Sequence, residues 1–284
     1  GTLKPDVARS LDLPETVKVC AGAGDNAAAA VGTATVGDGQ CNISLGTSGT
    51  VFISSDHFRV DANNALHAFA HADGGYHLMG CMLSAASCNK WLMEDIFRTE
   101  DYAAEQAGIT EEMLGRNHVY FLPYLMGERS PINDTNARGT FIGMTMDTTR
   151  ADMTQAVLEG IAFAYRDMVE SARALGIRVN NSTLCGGGAK NAVWQEILTN
   201  VLNLPLTILK EEQGPGLGAA MLSALSRGQY LSLRHAADAT VRISHTVKPT
   251  MDIAKAYDQR YQVFQQIYPA LRDIYPLLPC NSLE

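Results

Sequence analysis

The sequence has no apolar run long enough to cross a membrane and no run of Lys or Arg. A transmembrane segment needs about 18 or more apolar residues, and proteins that bind nucleic-acid backbones need a basic face. Acidic residues instead outnumber basic ones by 30 to 22, which gives a net charge of −8. We therefore expect neither a membrane nor a nucleic acid as a partner.

Signal-peptide and paired-cysteine patterns are missing as well. The first residues lack the charged and apolar regions of a secretory signal, and none of the six cysteines forms a Cys-x-x-Cys pair. Most cysteines lie in apolar, strand-like segments, which is typical of buried thiols in a cytoplasmic protein. His67 and His71 have a spacing that could hold a metal on a helix. Their segment has the pattern of a strand, so we assign no metal site to it.

Disorder is excluded by what the chain contains: 284 residues, 46% hydrophobic and 18% charged, enough for a sizeable core. Short apolar segments predict strands at 17–21, 40–45, 50–54, 66–72, 76–82, 119–122, 182–185 and 206–209. Helices are predicted from 25, at 85–97, from 150 to Gly176, at 190–202, at 219–225 and from 251 to the chain end. This order predicts one α/β domain over residues 1–284, with helices on both faces of a mixed sheet.

Three glycine-rich turns follow predicted strands, at 22–26, 46–49 and 186–191. Such turns expose backbone N–H groups, and the start of a following helix adds partial positive charge; both features suit a phosphate. One glycine turn is weak evidence, whereas three at strand ends predict a nucleotide site. The chain contains neither GxxxxGKS nor GxxxxGKT, so it is not a P-loop enzyme.

The first turn also matches GxGxxA, which is close to a dinucleotide-binding fingerprint. That fingerprint requires a parallel βαβ unit and an acidic residue about 20 positions further on. Here the next predicted element is a hairpin, and Leu45 stands at that distance. An NAD-binding oxidoreductase is therefore a less favoured alternative, which binding of NAD rather than ADP would reveal.

Asp25 admits two interpretations at this point. An aspartate after a glycine at a helix start often caps the helix. It is also the residue type that accepts a hydroxyl proton during phosphoryl transfer. Asn26 could likewise cap the first turn or bind a substrate hydroxyl.

The other two turns leave similar alternatives open. Thr47 and Ser48 suit either turn geometry or hydrogen bonds to phosphate oxygens. Gly187 and Gly188 make either a tight connection between strand and helix or room for a flat base against the backbone.

Taken together, the motifs resemble those of the C-terminal half of the FGGY carbohydrate kinases, and most closely the members that phosphorylate D-xylulose. They occur in family order across nearly the whole chain, and each is weak alone. The motifs are AGAGDNAA at 21–28, SLGTSGT at 44–50, MLSAASC at 82–88, YLMGERSP at 124–131, NARGTFIG at 136–143, LEGIAF at 158–163 and CGGGAKNAVW at 185–194.

The resemblance implies an actin-like, ribonuclease-H-like ATPase domain that uses ATP with Mg²⁺ to phosphorylate a ketose, D-xylulose. The site residues that it implies are a catalytic base at Asp25, a sugar contact at Asn26, a phosphate loop at Gly46 and Thr47, and an adenine and ribose pocket at Gly187, Gly188 and Asn191.

In that family two such domains flank a cleft that holds the sugar and ATP. The motifs of the N-terminal domain, including its Asp-x-Gly-Thr phosphate loop, have no match here. We therefore expect this chain alone to bind nucleotide weakly and to turn over little sugar. The expected partners are the sugar, ATP, the missing N-terminal domain and a second copy in a homodimer. A noncatalytic actin-like sensor module is the other alternative, against which the intact Asp25 argues.

Overall fold

The computed structural model describes residues 1–211 and 214–279. Within these ranges the strands are β1 (Cys41–Leu45), β2 (Gly49–Ser55), β3 (His67–Ala70), β4 (Tyr76–Met82), β5 (Tyr120–Leu122), β6 (Thr140–Ile142), β7 (Ser182–Cys185), β8 (Leu206–Leu209) and β9 (Ile243–Val247). The α-helices are α1 (Pro5–Ser10), α2 (Asp25–Gly32), α3 (Ala86–Lys90), α4 (Tyr102–Ala107), α5 (Arg150–Ala174), α6 (Ala192–Leu202), α7 (Gly214–Ser226), α8 (Leu233–Thr240) and α9 (Met251–Leu271).

The main sheet is mixed and has the order β3-β4-β2-β1-β7-β8-β9. The two hairpins, β1–β2 and β3–β4, are antiparallel, as the sequence predicts. β7 pairs in parallel with both β1 and β8, and β9 closes the far edge in antiparallel orientation. The α/β architecture with a mixed sheet is confirmed.

The longest helix, α5, is the centre of the main hydrophobic core. It begins where a reciprocal cap forms, in which the Thr149 hydroxyl accepts the Asp152 N–H at 3.2 Å and the Asp152 carboxylate accepts the Thr149 N–H at 2.8 Å. It ends before Gly176, whose φ of 82° reverses the chain as predicted. Its apolar positions recur every three or four residues and are fully buried: Val157, Leu158, Ile161, Tyr165, Met168, Val169 and Ala172.

A second, separate hydrophobic cluster is formed by α2, α7 and α8. α2 and α7 approach each other so closely that a Cβ added to Gly218 would overlap the carbonyl oxygen of Ala28. Only glycine at position 218 allows this backbone contact, and the contact fixes the position of α2.

Several predicted boundaries are wrong. The segment 17–21 is not a strand, because Lys18 makes only a single bridge to Thr2 and Val19 is half exposed. α7 is already helical at Gly214, ahead of the predicted start at 219, and α9 ends at Leu271 rather than at the chain end. α1, α4, α8, β6 and β9 were not predicted, since each is too short to show a strong period.

No helix within residues 1–211 and 214–279 is long and apolar enough to cross a membrane. The thiols of Cys41 and Cys88 are buried as predicted, and burial raises the pKa of Cys41 to about 12. Cys20, Cys81 and Cys185 are only partly buried, so the prediction of buried thiols is confirmed for two of the five described cysteines. Cys280 lies outside the described residues.

Candidate nucleotide site

Two of the predicted glycine turns lie side by side because the strands that precede them are neighbours. β1 and β7 pair in parallel, with Ser44 opposite Cys185. The turn at 46–49 follows β1 and the turn at 186–191 follows β7, so both emerge at the same edge of the sheet. The carboxyl ends of parallel strands are where open α/β sheets bind their ligands.

Beside these turns lies a cavity of about 600 Å³, the glycine-turn cavity. Apolar lining comes from Leu45 and Trp194. Five of the seven predicted site residues also line it, namely Gly46, Thr47, Gly187, Gly188 and Asn191.

Backbone carbonyl groups of the turn at 46–49 accept hydrogen bonds from the start of α3. The Gly46 carbonyl accepts the Ala86 N–H at 2.9 Å, and the Thr47 carbonyl accepts the Ala85 N–H at 3.0 Å. The Ser87 hydroxyl also donates to the Thr47 carbonyl at 2.9 Å. α3 is therefore fixed to the turn as one wall of the cavity, while the Thr47 side chain remains exposed.

In the turn at 186–191, Gly187 and Gly188 have different surroundings. A Cβ added to Gly188 would lie 2.6 Å from Cγ of Leu45 and 3.0 Å from Cζ3 of Trp194, so glycine is required there by packing. A Cβ added to Gly187 would meet nothing within 4 Å. Gly187 therefore offers an open patch of backbone on the cavity wall.

A third wall of the cavity is formed by α4, which was not predicted from the sequence. α4 is capped by the Asp101 carboxylate, which accepts a backbone N–H at 3.0 Å, and it brings Tyr102 and Gln106 to the cavity. Lys90 and Lys190 also border the cavity and supply positive charge. In the sequence, Asp101 ahead of a short run of helix-favouring residues was the available signal for α4, but no motif indicated a role for Tyr102 or Gln106.

Asn191 has a structural role that its spacing alone did not reveal. Its Oδ1 accepts the Trp194 N–H at 2.8 Å and so caps α6. Its Nδ2 donates to Oε1 of Gln106, which joins the turn after β7 to α4. The two walls of the cavity are thus linked by side-chain amides.

Asp25 and Asn26 lie apart from the glycine-turn cavity, at the exposed start of α2. The helix cap is Gly24, and Asp25 is the first helical residue. One carboxylate oxygen of Asp25 accepts the Asn26 N–H at 2.8 Å. The structure therefore brings five of the predicted residues together at the cavity, whereas Asp25 and Asn26 are not among its lining residues.

A buried carboxyl group anchors the wall that contains α3. Glu128, in the long loop 123–139, is 2% exposed. Its Oε1 accepts the Leu83 N–H at 2.7 Å and the Arg129 N–H at 2.8 Å, while its Oε2 is buried with no hydrogen-bond partner in the described part of the chain. Burial raises the pKa of Glu128 from 4.5 to about 7, because it penalises the charged form.

Replacing Glu128 by Gln should stabilise the protein at pH 8 and have little effect at pH 5. The pKa of Glu128 is about 7 in the folded protein, above its ordinary value of 4.5. The free energy of unfolding therefore falls as pH rises from 4.5 through about 7, because the buried carboxyl group resists losing its proton. Gln keeps an oxygen for both N–H groups and carries no charge, which should gain about 1–3 kcal/mol at pH 8. Urea unfolding at both pH values measures the difference, with exposed Glu100→Gln as the control. An equal effect of Glu128→Gln at pH 5 and pH 8 would contradict the prediction.

Comparison with known proteins assigns the chain to a family. Residues 41–227 match the model of the C-terminal domain of the FGGY family of carbohydrate kinases. The chain belongs to the FGGY family. The matched segment runs from the start of β1 to one residue past the end of α7 and contains both turns of the glycine-turn cavity.

The relatives of this FGGY chain include xylulose kinases. Over 95% of the present chain, the sequence is 36% identical to a xylulose kinase of Escherichia coli. Over 96% of the present chain, it is 33% identical to a xylulose kinase of Staphylococcus epidermidis. A crystal structure of a xyloylose kinase from Brucella ovis matches 96% of the chain with a TM-score of 0.88 and 35% identity. The chain spans only 55–56% of the length of these three proteins. The resemblance expected from the sequence motifs is confirmed.

Proposed function

We propose that this chain, residues 1–284, is the nucleotide-side, C-terminal domain of a cytoplasmic sugar kinase. We propose further that the complete enzyme phosphorylates D-xylulose to D-xylulose 5-phosphate with ATP. The observation that carries the proposal is the glycine-turn cavity in a chain of the FGGY family. The choice of sugar is supported by the xylulose kinases among its relatives.

The lining of the cavity suits ATP. Its volume of about 600 Å³ is that of a small-molecule site. In this proposal a flat adenine lies against the open backbone at Gly187, and the phosphates extend toward Gly46 and Thr47. The ammonium groups of Lys90 and Lys190 at the cavity border attract the phosphate charge.

Asp25 is the proposed general base. It lies at the start of α2 with an exposed carboxylate, and its Oδ2 has no protein partner among the described residues. The carboxylate accepts the proton of the sugar 5-hydroxyl as that oxygen bonds to the γ-phosphorus, and the bond to the β-phosphate breaks to release ADP. Asn26, its exposed neighbour, binds a sugar hydroxyl in this arrangement.

Mg²⁺ enters this reaction as part of the ATP substrate. The lining residues described for the cavity include no carboxylate, so here the phosphates and water hold the ion. The rest of the cleft is assigned to an N-terminal domain outside this chain, which fits the half-length match to the relatives. Weak turnover by this chain alone and pairing into a homodimer stay predictions.

A pair of glycine variants tests the site. Gly187→Ala should weaken ATP binding at least about tenfold without changing the unfolding midpoint, because the added methyl group enters the open cavity. Gly188→Ala should instead destabilise the fold by about 1–3 kcal/mol, because its methyl group meets Leu45 and Trp194. Calorimetric titration with Mg-ATP and thermal unfolding separate the two effects. Unchanged affinity in Gly187→Ala would count against ATP in this cavity.

A further inference from the structure

The side-chain amide of Gln106 has its orientation fixed by a chain of hydrogen bonds. The free N–H at the start of α6 needs an acceptor, so Asn191 must present its oxygen to Trp194, at 2.8 Å. Its nitrogen must then donate, and the atom that receives this bond is Oε1 of Gln106. Because an amide oxygen accepts and an amide nitrogen donates, Gln106 is left with its nitrogen, Nε2, as the group available to a ligand.

The position of Nε2 is consistent with a contact inside the cavity. Gln106 lines the glycine-turn cavity and is 4% exposed overall. Nε2 has no hydrogen-bond partner in the described ranges and is not fully buried, and the space that Gln106 lines is the cavity. Gly187, with open space above its Cα, lines the same cavity.

Three other polar groups of α4 and α3 cannot replace this donor. The Tyr102 hydroxyl donates to Glu94 at 2.8 Å, and the Ser87 hydroxyl donates to the Thr47 carbonyl at 2.9 Å. Lys90 reaches Glu94 at 3.6 Å and is mostly exposed. Besides the Asn89 amide of α3, which also lines the cavity, Gln106 is therefore the neutral donor among these described side chains that a ligand can use.

We propose that Nε2 of Gln106 donates a hydrogen bond to a ring nitrogen of the nucleotide base and makes Gln106 a specificity-determining residue. This inference rests on the proposed function, since it takes the ligand to be a purine nucleotide with its flat face on Gly187. Asn191 acts through Gln106 as a positioning residue, because it fixes which end of the amide faces the base. The site thus selects a base that offers a lone pair at one edge position.

Atom-replaced nucleotides test this contact directly. Binding of ATP and of 1-deaza-, 3-deaza- and 7-deaza-ATP is measured by calorimetry on the full-length kinase with Mg²⁺. One of these analogues lacks the accepting nitrogen, so it should bind about 3- to 10-fold more weakly than ATP, while the other two bind like ATP. Equal affinities for all four nucleotides would overturn the proposal.

Two substitutions at position 106 show whether the glutamine is the donor. Gln106→Glu keeps an oxygen for Asn191 but removes the N–H, and Gln106→Met removes both groups. In both variants the weak-binding analogue should match ATP, whereas Ala103→Ser, at an exposed position of the same helix outside the cavity lining, should retain the 3- to 10-fold difference. A difference that survives in both Gln106 variants would overturn the proposal. Absence of ATP binding by the unaltered kinase would be a separate result, which overturns the proposed function and this contact with it.

Discussion

Asp25→Asn in the full-length kinase is expected to lower the rate of D-xylulose phosphorylation by about 10²- to 10⁴-fold, the usual contribution of a general base. The amide keeps the size of the side chain and cannot accept the hydroxyl proton. ATP affinity should stay unchanged, because Asp25 does not line the glycine-turn cavity. The measurement is ADP release with Mg-ATP and a panel of ketoses and polyols, alongside a binding titration.

Asp6→Asn is the matched control for this variant. Asp6 is also an exposed aspartate in the first turn of a helix, α1, so the loss of helix-terminal charge is similar in the two proteins. Asp6→Asn should turn over sugar like the unaltered enzyme. If Asp25→Asn retained more than about a tenth of the activity, another group would have to be the base. Turnover on a different sugar would keep the kinase and change its substrate.

The largest effect on stability is expected at the buried ion pair between α5 and α9. Arg260 donates to Oε2 of Glu159 at 2.7 Å, and Oε1 of Glu159 accepts from the Tyr257 hydroxyl at 2.9 Å and from the Gln155 amide at 2.7 Å. Arg260→Met leaves the carboxylate buried without its cation, which should cost about 3–5 kcal/mol.

The pH dependence of this loss gives a second, independent signature. Burial raises the pKa of Glu159, and Arg260 opposes that shift, so the pKa should rise further in Arg260→Met. A raised folded-state pKa means that stability falls as pH increases, because the protonated acid is the form that burial tolerates. The loss should therefore be larger at pH 8 than at pH 5 in urea unfolding.

A double variant separates the charge from the packing at this pair. Glu159→Leu combined with Arg260→Met removes both buried charges, so it should be less destabilised than Arg260→Met alone and should lose the added pH dependence. A loss below about 1 kcal/mol in Arg260→Met at both pH values would show that the pair contributes little. The apolar residues around α5 would then carry the contact with α9.

Strands β1 to β4 and β7 of the main sheet could be predicted because each combines a short apolar run with a glycine turn, whereas β9 could not. The placement of Gly46 and Gly187 at one cavity could not, because it depends on the pairing of β1 with β7, far apart in sequence. α4 was not predicted, because its six residues are too few to show a helical period. Gln106 belongs to no sequence motif, and it is the hydrogen bond from Asn191 that indicates a role for it.

Asp25 illustrates a different limit of sequence reasoning. The glycine turn at 22–26 and the start of α2 were correctly predicted, and this turn was one of three that together predicted a nucleotide site. In the structure the position of Asp25 follows from the contact between α2 and α7 at Gly218, and it lies outside the cavity lining. A local motif contains no information about that helix contact.

The parallel pairing of β1 with β7 also sets the order in which the molecule can be assembled on the ribosome. The hairpins β1–β2 and β3–β4 are complete once residue 82 has emerged, and antiparallel neighbours of this kind need only short loops to close. The side chains of Asn42 and Thr183, 2.8 Å apart, are separated by 141 positions along the chain. A nascent chain that stops before β7 therefore has the turn at 46–49 without the turn at 186–191, and the glycine-turn cavity cannot yet exist.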